Sequence, residues 1–161
     1  GLRAAAIAVY PTYRGIAKLV GMQALPVEVG TAADEFTTLE KYWNDFDFFY
    51  LHVKETDLAG EDGDFARKVN VIEGVDSLIP RLVALQPDVI IVCGDHSTPA
   101  ALKGHSWHPV PVLIYSKYVR ADGIPEFGER ACMRGSLGVL PAKHIMPIAL
   151  ANAGRIMKWS S

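Results

Sequence analysis

Three short segments of this chain carry side chains of the kind that hold divalent metals. Asp57 and Glu61 lie in HVKETDLAGEDGD, Asp95 and His96 in GDHSTP, and His105 with His108 in GHSWHPVP. Carboxylate oxygen combined with imidazole nitrogen suits Mn, Zn or Fe better than Ca or a structural thiolate site. Each segment taken alone has a plainer reading. The acidic stretch serves equally as a solvated turn with Asp64 capping the next helix. Asp95-His96 serves as a turn that contains a histidine, and His105 and His108 as ordinary loop histidines. Their recurrence beside three successive apolar runs favours a common site.

A second set is cationic. Arg14 and Lys18 stand in YPTYRGIAKLVGM, and Arg130 and Arg134 in FGERACMRGSLG. At loop positions beside Gly15, Gly128 and Gly135 they suit a phosphorylated ligand. Arginine supplies forked hydrogen bonds, lysine a point charge, and glycine a close backbone approach. Solvent-facing charge is the plain alternative. The remaining chemistry-bearing residues read as structural. His52 falls inside an apolar run and His144 near a helix start. Cys93 ends an apolar run as a small hydrophobe. Cys132 lies between two arginines that would lower its pKa, yet nothing else marks it as a nucleophile.

The elements that must position these groups follow from periodicity. Four apolar runs, Ala4–Tyr10, Phe46–Val53, Val89–Cys93 and Val110–Tyr115, are continuous rather than alternating, as in strands covered on both faces. Between the second and third, Asp64–Leu85 is apolar every three or four residues, which predicts an amphipathic helix kinked or split near Pro80. Strand, helix, strand with short joints is a βαβ unit, so the expected class is α/β with a mainly parallel sheet flanked by helices. Further helices are expected from about Asp34 to Trp43, briefly from Thr98-Pro99, and from Ala142 to Ala153. Arg120–Gly138 reads as a long charged loop. Ligands of such sheets bind beyond the carboxyl ends of the strands, where the acids and histidines stand.

Composition bounds the rest. The chain has 161 residues, half of them apolar and 21% charged, with 16 Lys+Arg against 18 Asp+Glu. That length is enough for a real core, and the apolar share argues against disorder. A net charge of −2 argues against a nucleic-acid-coating protein. No apolar run approaches a membrane span. Two cysteines make no disulfide scaffold, so a reducing cytoplasm is expected.

Taken together, LHVKETDLAGEDGDF, VCGDHSTPAALKGHSWHPVPVLIYSK and FGERACMRGSLG resemble the archaeal-type, cofactor-independent phosphoglycerate mutases of the alkaline-phosphatase-like metalloenzyme superfamily. The likeness runs from AVYPTYRGIAKLVGM to LANAGRIMKW. It implies interconversion of 3-phosphoglycerate and 2-phosphoglycerate through a phosphoserine, without 2,3-bisphosphoglycerate. It implies two divalent metals, usually Mn, with Zn, Co or Mg as substitutes. By the family pattern Asp57 and His105 hold the first metal, and Asp95 and His96 the second. Arg14, Lys18, Arg130 and Arg134 then serve the substrate, with His108 and Ser97 as supporting groups nearby.

Two departures qualify that expectation. Four residues after Asp57 many relatives have histidine, whereas this chain has Glu61. Glutamate is an oxygen ligand that fits Mn or Mg and shifts preference toward harder metals; the alternative is a solvent-facing Glu61. The family is also at least about twice this length, with a substrate domain inserted into a split catalytic domain. The expectation is therefore a C-terminal segment of the catalytic domain, cut at Gly1, whose partner is the N-terminal remainder. The nucleophilic serine belongs to that remainder: Ser97 and Thr98 read as capping groups and Ser136 as a turn or ligand residue. Three rivals stand beside this reading: a phosphatase or sulfatase of the same superfamily, a phosphonopyruvate-decarboxylase-like protein, and a non-catalytic binding module. The phosphorylated substrate is small, and the pattern leaves room for a homo-oligomer.

Overall fold

A computed structural model describes residues 1–156. The chain forms two compact units, Gly1–Gln86 with Thr98–Gly104, and Pro87–Ser97 with the residues from His105 onward.

The first unit is built on a parallel sheet of three strands, β1 (Ala4–Ala8), β2 (Gln23–Ala24) and β3 (Phe48–His52), in the order β2-β1-β3. Every residue of β1 pairs with β3, from Ala4 opposite Phe48 to Ala8 opposite His52. Ala5 to Ala8 are fully buried. Small side chains there let the flanking helices sit close on the central strand. The core joins Ala5, Ile7, Leu25 and Leu39 to Phe46, Phe49, Leu51, Leu82 and Leu85. Trp43 stacks on Phe49 with ring centroids 5.5 Å apart.

Helices supply the rest of this unit. Pro11 opens α1 (Pro11–Leu19), where its fixed φ suits the first turn. α2 (Ala32–Lys41) starts with a reciprocal cap. The Asp34 N–H donates to Thr31 Oγ1 at 3.2 Å, and the Thr31 N–H donates back to the Asp34 carboxylate at 3.0 Å. These bonds hold the Asp34 carboxyl below its ordinary range. α3 (Glu55–Asp62) ends at Gly63 in the left-handed region, φ 73°. Asp64 then caps α4 (Phe65–Asp76) by accepting the Arg67 N–H at 2.9 Å. Pro80 lies in the first turn of α5 (Ile79–Ala84), so the expected long helix is divided there. A forked pair from Arg81 to Glu40, 2.7 and 2.6 Å, ties α5 to α2.

The second unit holds an antiparallel pair, β4 (Val89–Cys93) and β5 (Val112–Ser116), with Val89 opposite Ser116. α6 (Glu129–Cys132) is one short turn, and α7 (Ile145–Asn152) packs on β4. The Ser116 hydroxyl donates to Asn152 Oδ1 at 2.8 Å. Asp122 gathers the charged loop by accepting the N–H groups of Ile124 and Ser136, which holds its carboxyl below the usual range.

The α/β class is as expected, and several elements differ from the sequence expectation. β4 and β5 run antiparallel instead of joining one parallel sheet, and β5 alternates in burial, leaving Tyr115 exposed. Arg14 and Lys18 ride on helix α1, not on a loop; one glycine costs a helix only about 1 kcal/mol, so Gly15 does not break it. Arg130 likewise belongs to α6. The acidic stretch is helix α3, not a turn. Conversely, Thr98-Pro99 opens no helix. Leu102 and Lys103 donate to the Pro99 carbonyl in a turn that ends as Lys103 takes φ 50°.

Two expected outcomes follow from this packing. A Cβ at Gly60 would collide with the Thr98 carbonyl oxygen, a backbone atom that cannot rotate away. Gly60→Ala therefore costs about 1–3 kcal/mol and lowers Tm by several degrees in thermal unfolding, while an unchanged Tm would refute this packing. Glu35 on α2 is 2% exposed, with no hydrogen-bond partner for Oε2. Burial, reinforced by the charge of Glu55, raises its carboxyl from 4.5 to about 8. Between those values the fold binds a proton that the unfolded chain has released, so Glu35 makes stability fall as pH rises from about 4.5 to about 8. Glu35→Gln flattens this slope. Tm measured across pH 5–8 checks it, and identical wild-type and variant slopes would count against it.

Candidate metal centre

In the first unit the site is built around Asp57, in the first turn of α3 with its side chain 11% exposed. Burying a carboxylate is costly unless its oxygens are occupied. Here Oδ1 accepts the Thr98 hydroxyl, and Oδ2 accepts the Lys54 ammonium. The bond to Asp57, helped by the charge of Glu61, holds Lys54 above its ordinary pKa. The same ammonium lies 5.3 Å over the Tyr10 ring. Thr98 is itself fixed, because its carbonyl accepts Lys68 Nζ at 2.6 Å. Glu61 follows Asp57 by one helical turn, so the two acids share a face of α3, with Glu61 exposed.

In the second unit His96 and His105 stand side by side, ring centroids 4.1 Å apart and tilted by 43°. A backbone bridge closes the loop between them: Ser106 N–H donates to the Ser97 carbonyl at 2.9 Å. The Ser97 hydroxyl donates to the His108 carbonyl at 3.1 Å, and Ser106 Oγ lies 2.9 Å from His108 Nδ1. Ser97 and His108 thus brace the loop that carries the two imidazoles. Asp95 accepts the His96 N–H at 3.0 Å, and its other oxygen lies 3.7 Å from His96 Nε2.

These donors fit a divalent metal of intermediate hardness. A carboxylate offers about four lone-pair positions, so Asp57 retains acceptor capacity beyond Thr98 and Lys54. A fixed carboxylate orientation is what metal ligation requires. Adjacent imidazole donors add nitrogen ligands. Among the expected substrate cations, Arg14 and Lys18 lie one turn apart on α1 and line a shallow surface with Pro11 and Gly15. Arg130 and Arg134 are exposed on α6 and the turn after it.

Several assignments change. The expected capping roles of Ser97 and Thr98 are not realised; their hydroxyls go to the His108 carbonyl and the Asp57 carboxylate. His52 is half-buried between aromatic rings, stacked on Tyr13 at 3.6 Å. Cys93 reaches the surface instead of being buried, although its surroundings and Asp95 still push the thiol above its ordinary range. Sequence reasoning passed over Lys54 and Thr98. Lys54 carried a signal in its three-residue spacing from Asp57, while Thr98 lies 41 residues away and carried none.

Comparison with known proteins places these features. A family model described as the metalloenzyme superfamily matches residues 1–152. A relative named probable 2,3-bisphosphoglycerate-independent phosphoglycerate mutase, from Thermotoga sp. strain RQ2, is 56% identical over 161 residues, covering 99% of this chain and 40% of that protein. The Aquifex aeolicus protein of the same name is 50% identical, over 100% of this chain and 40% of its own length. The chain thus spans about two fifths of the curated relatives it matches. The solved structure of the PH0037 protein from Pyrococcus horikoshii is 32% identical with a TM-score of 0.93, over 99% of this chain and 44% of that one. A cofactor-independent phosphoglycerate mutase from Thermoplasma acidophilum, 24% identical with a TM-score of 0.70 over 95% of this chain and 37% of that one, shares the fold. With a match that runs from the first strand to the end of α7, the chain belongs to the metalloenzyme superfamily.

Proposed function

We propose that this chain is the C-terminal segment of the catalytic domain of a cofactor-independent phosphoglycerate mutase. The observation that carries this is its 50–57% identity, along its whole length, to proteins bearing that name. In this reading Asp57, Glu61 and His105 hold one divalent metal. Asp95 and His96 hold the second, together with residues from the N-terminal remainder. Manganese suits the mix of carboxylate and imidazole, with Zn, Co or Mg as alternatives.

The local geometry of each half supports the assignment. Thr98, which fixes Asp57, is two residues beyond His96, and the segment it anchors ends at Gly104, next to His105. The metals supply charge neutralisation for the transferring phosphoryl group and a lowered pKa for the attacking hydroxyl. This chain's own residues bind and orient. Thr98 and Lys54 hold Asp57 in one orientation. Arg14, Lys18, Arg130 and Arg134 receive the phosphate and carboxylate of the small glycerate substrate. The nucleophilic serine lies outside this chain, so the phosphoryl group passes through a phosphoserine on the remainder. Two free thiols suit a cytoplasmic enzyme.

The test uses the intact protein. With Mn it should convert 3-phosphoglycerate to 2-phosphoglycerate without added 2,3-bisphosphoglycerate, and chelation should stop it. Asp95→Ala and His96→Ala should each lower kcat/KM by at least about 100-fold, the upper range for losing even an outer partner of a metal ligand, with loss of bound metal by elemental analysis. The 161-residue chain alone should show no turnover. Turnover by that chain, or unchanged metal content in Asp95→Ala, would sink the proposal. Release of inorganic phosphate in place of isomerisation would favour a hydrolase of the same superfamily.

A further inference from the structure

The acidic side of this site contains a cation of its own. Lys54, the residue before α3, has its side chain only 17% exposed and its ammonium on Asp57 Oδ2. The Tyr10 ring lies beneath that ammonium at 5.3 Å, and Glu61 adds negative charge to its surroundings. An ammonium confined between a buried carboxylate and an aromatic face is not a solvated surface charge. Its field acts on whatever binds at Asp57, because screening by water is weak there.

We propose that Lys54 is a specificity-determining residue of the metal centre, a fixed positive charge that offsets Asp57 and Glu61 and so sets how tightly a divalent cation is held. The proposal rests on the reading of Asp57 as a metal ligand given above. The charge balance explains why one is needed. Where a carboxylate and a histidine would contribute one negative charge, Asp57 and Glu61 contribute two. An uncompensated pair of acids binds hard divalent cations tightly and with little discrimination. One ammonium at hydrogen-bond distance returns the local sum to a single negative charge.

Lys54 is separable from the orientation of Asp57. The Thr98 hydroxyl holds Oδ1, and Thr98 is fixed in turn by Lys68 and by the close approach of Gly60. Removing the ammonium therefore leaves one anchor on the carboxylate and takes away a charge within a few ångströms of the metal position. Electrostatics then predicts tighter binding, whereas a purely orienting role predicts weaker binding.

The experiment measures Mn and Mg dissociation constants by calorimetry on the intact, metal-stripped protein, with Tm as the folding control. Lys54→Met, which keeps the length of the apolar stem, should tighten Mn binding about tenfold, a modest part of the Coulomb interaction at such distances. It should tighten Mg by at least as much, narrowing the preference between the two ions. Lys54→Arg should stay within about twofold of wild type, because the charge is retained. Unchanged or weaker binding in Lys54→Met with an unchanged Tm would overturn the proposal. If Lys54→Met fails to fold, Lys54→Gln read against Lys54→Arg decides the same question. Asp57→Asn is the independent control: wild-type affinity in that variant would overturn the metal reading of Asp57 itself, whatever Lys54 does.

Discussion

A buried carboxylate has to be satisfied, and much of this chain's architecture is arranged around satisfying Asp57. Its two oxygens take a hydroxyl from Thr98 and an ammonium from Lys54. Neither partner is free to wander. Lys54 lies three residues away on the approach to α3 and rests on Tyr10. Thr98 belongs to the short segment Thr98–Gly104, which packs with the first unit although the chain on both sides of it belongs to the second. That detour requires particular residues. Gly60 has to be glycine because the Thr98 carbonyl comes so close, and Lys68 answers the same carbonyl. Gly63 turns the end of α3 where the Lys103 side chain passes.

The rest of the first unit makes this rigid. β1 is alanine-rich and fully buried from Ala5 to Ala8, so its neighbours approach closely. α2 is fixed at its start by the Thr31–Asp34 cap and to α5 by the Arg81–Glu40 fork. One charge-bearing group departs from the pattern of full satisfaction. Glu35 is buried with an oxygen that has no hydrogen-bond partner, and it stays protonated up to about pH 8 because ionisation would place an uncompensated charge near Glu55. The second unit uses a different device. There a two-serine bridge, Ser97 to Ser106, closes a loop and sets the imidazoles of His96 and His105 against each other.

Much of the fold was legible because it rests on local rules. Apolar runs marked β1, β3, β4 and β5, and the three-to-four spacing after Asp64 marked α4 and α5, with Pro80 at the division. What escaped was tertiary. The acidic stretch looks like a turn because Gly60 and Gly63 sit in it; Gly60 is there for a backbone contact 38 residues downstream, and α3 forms regardless. α1 lacked a clear period because Ile16, Leu19 and Val20 are exposed, so no single apolar stripe was visible. The antiparallel sense of β4 and β5 was hidden because a continuous apolar run does not state the direction of its partner.

By itself the sequence determined the donor types, their grouping into three short segments and the family whose pattern they match. Those properties are local and are carried by residue identity and spacing. Only the tertiary structure decided which polar groups answer one another. Thr98 meets Asp57 across 41 residues, and His96 meets His105 through a bridge between Ser97 and Ser106. Lys54 becomes a charge confined against Asp57 instead of a solvated one. The physical reason is that burial multiplies the cost of an unpaired charge, and burial belongs to the folded chain as a whole.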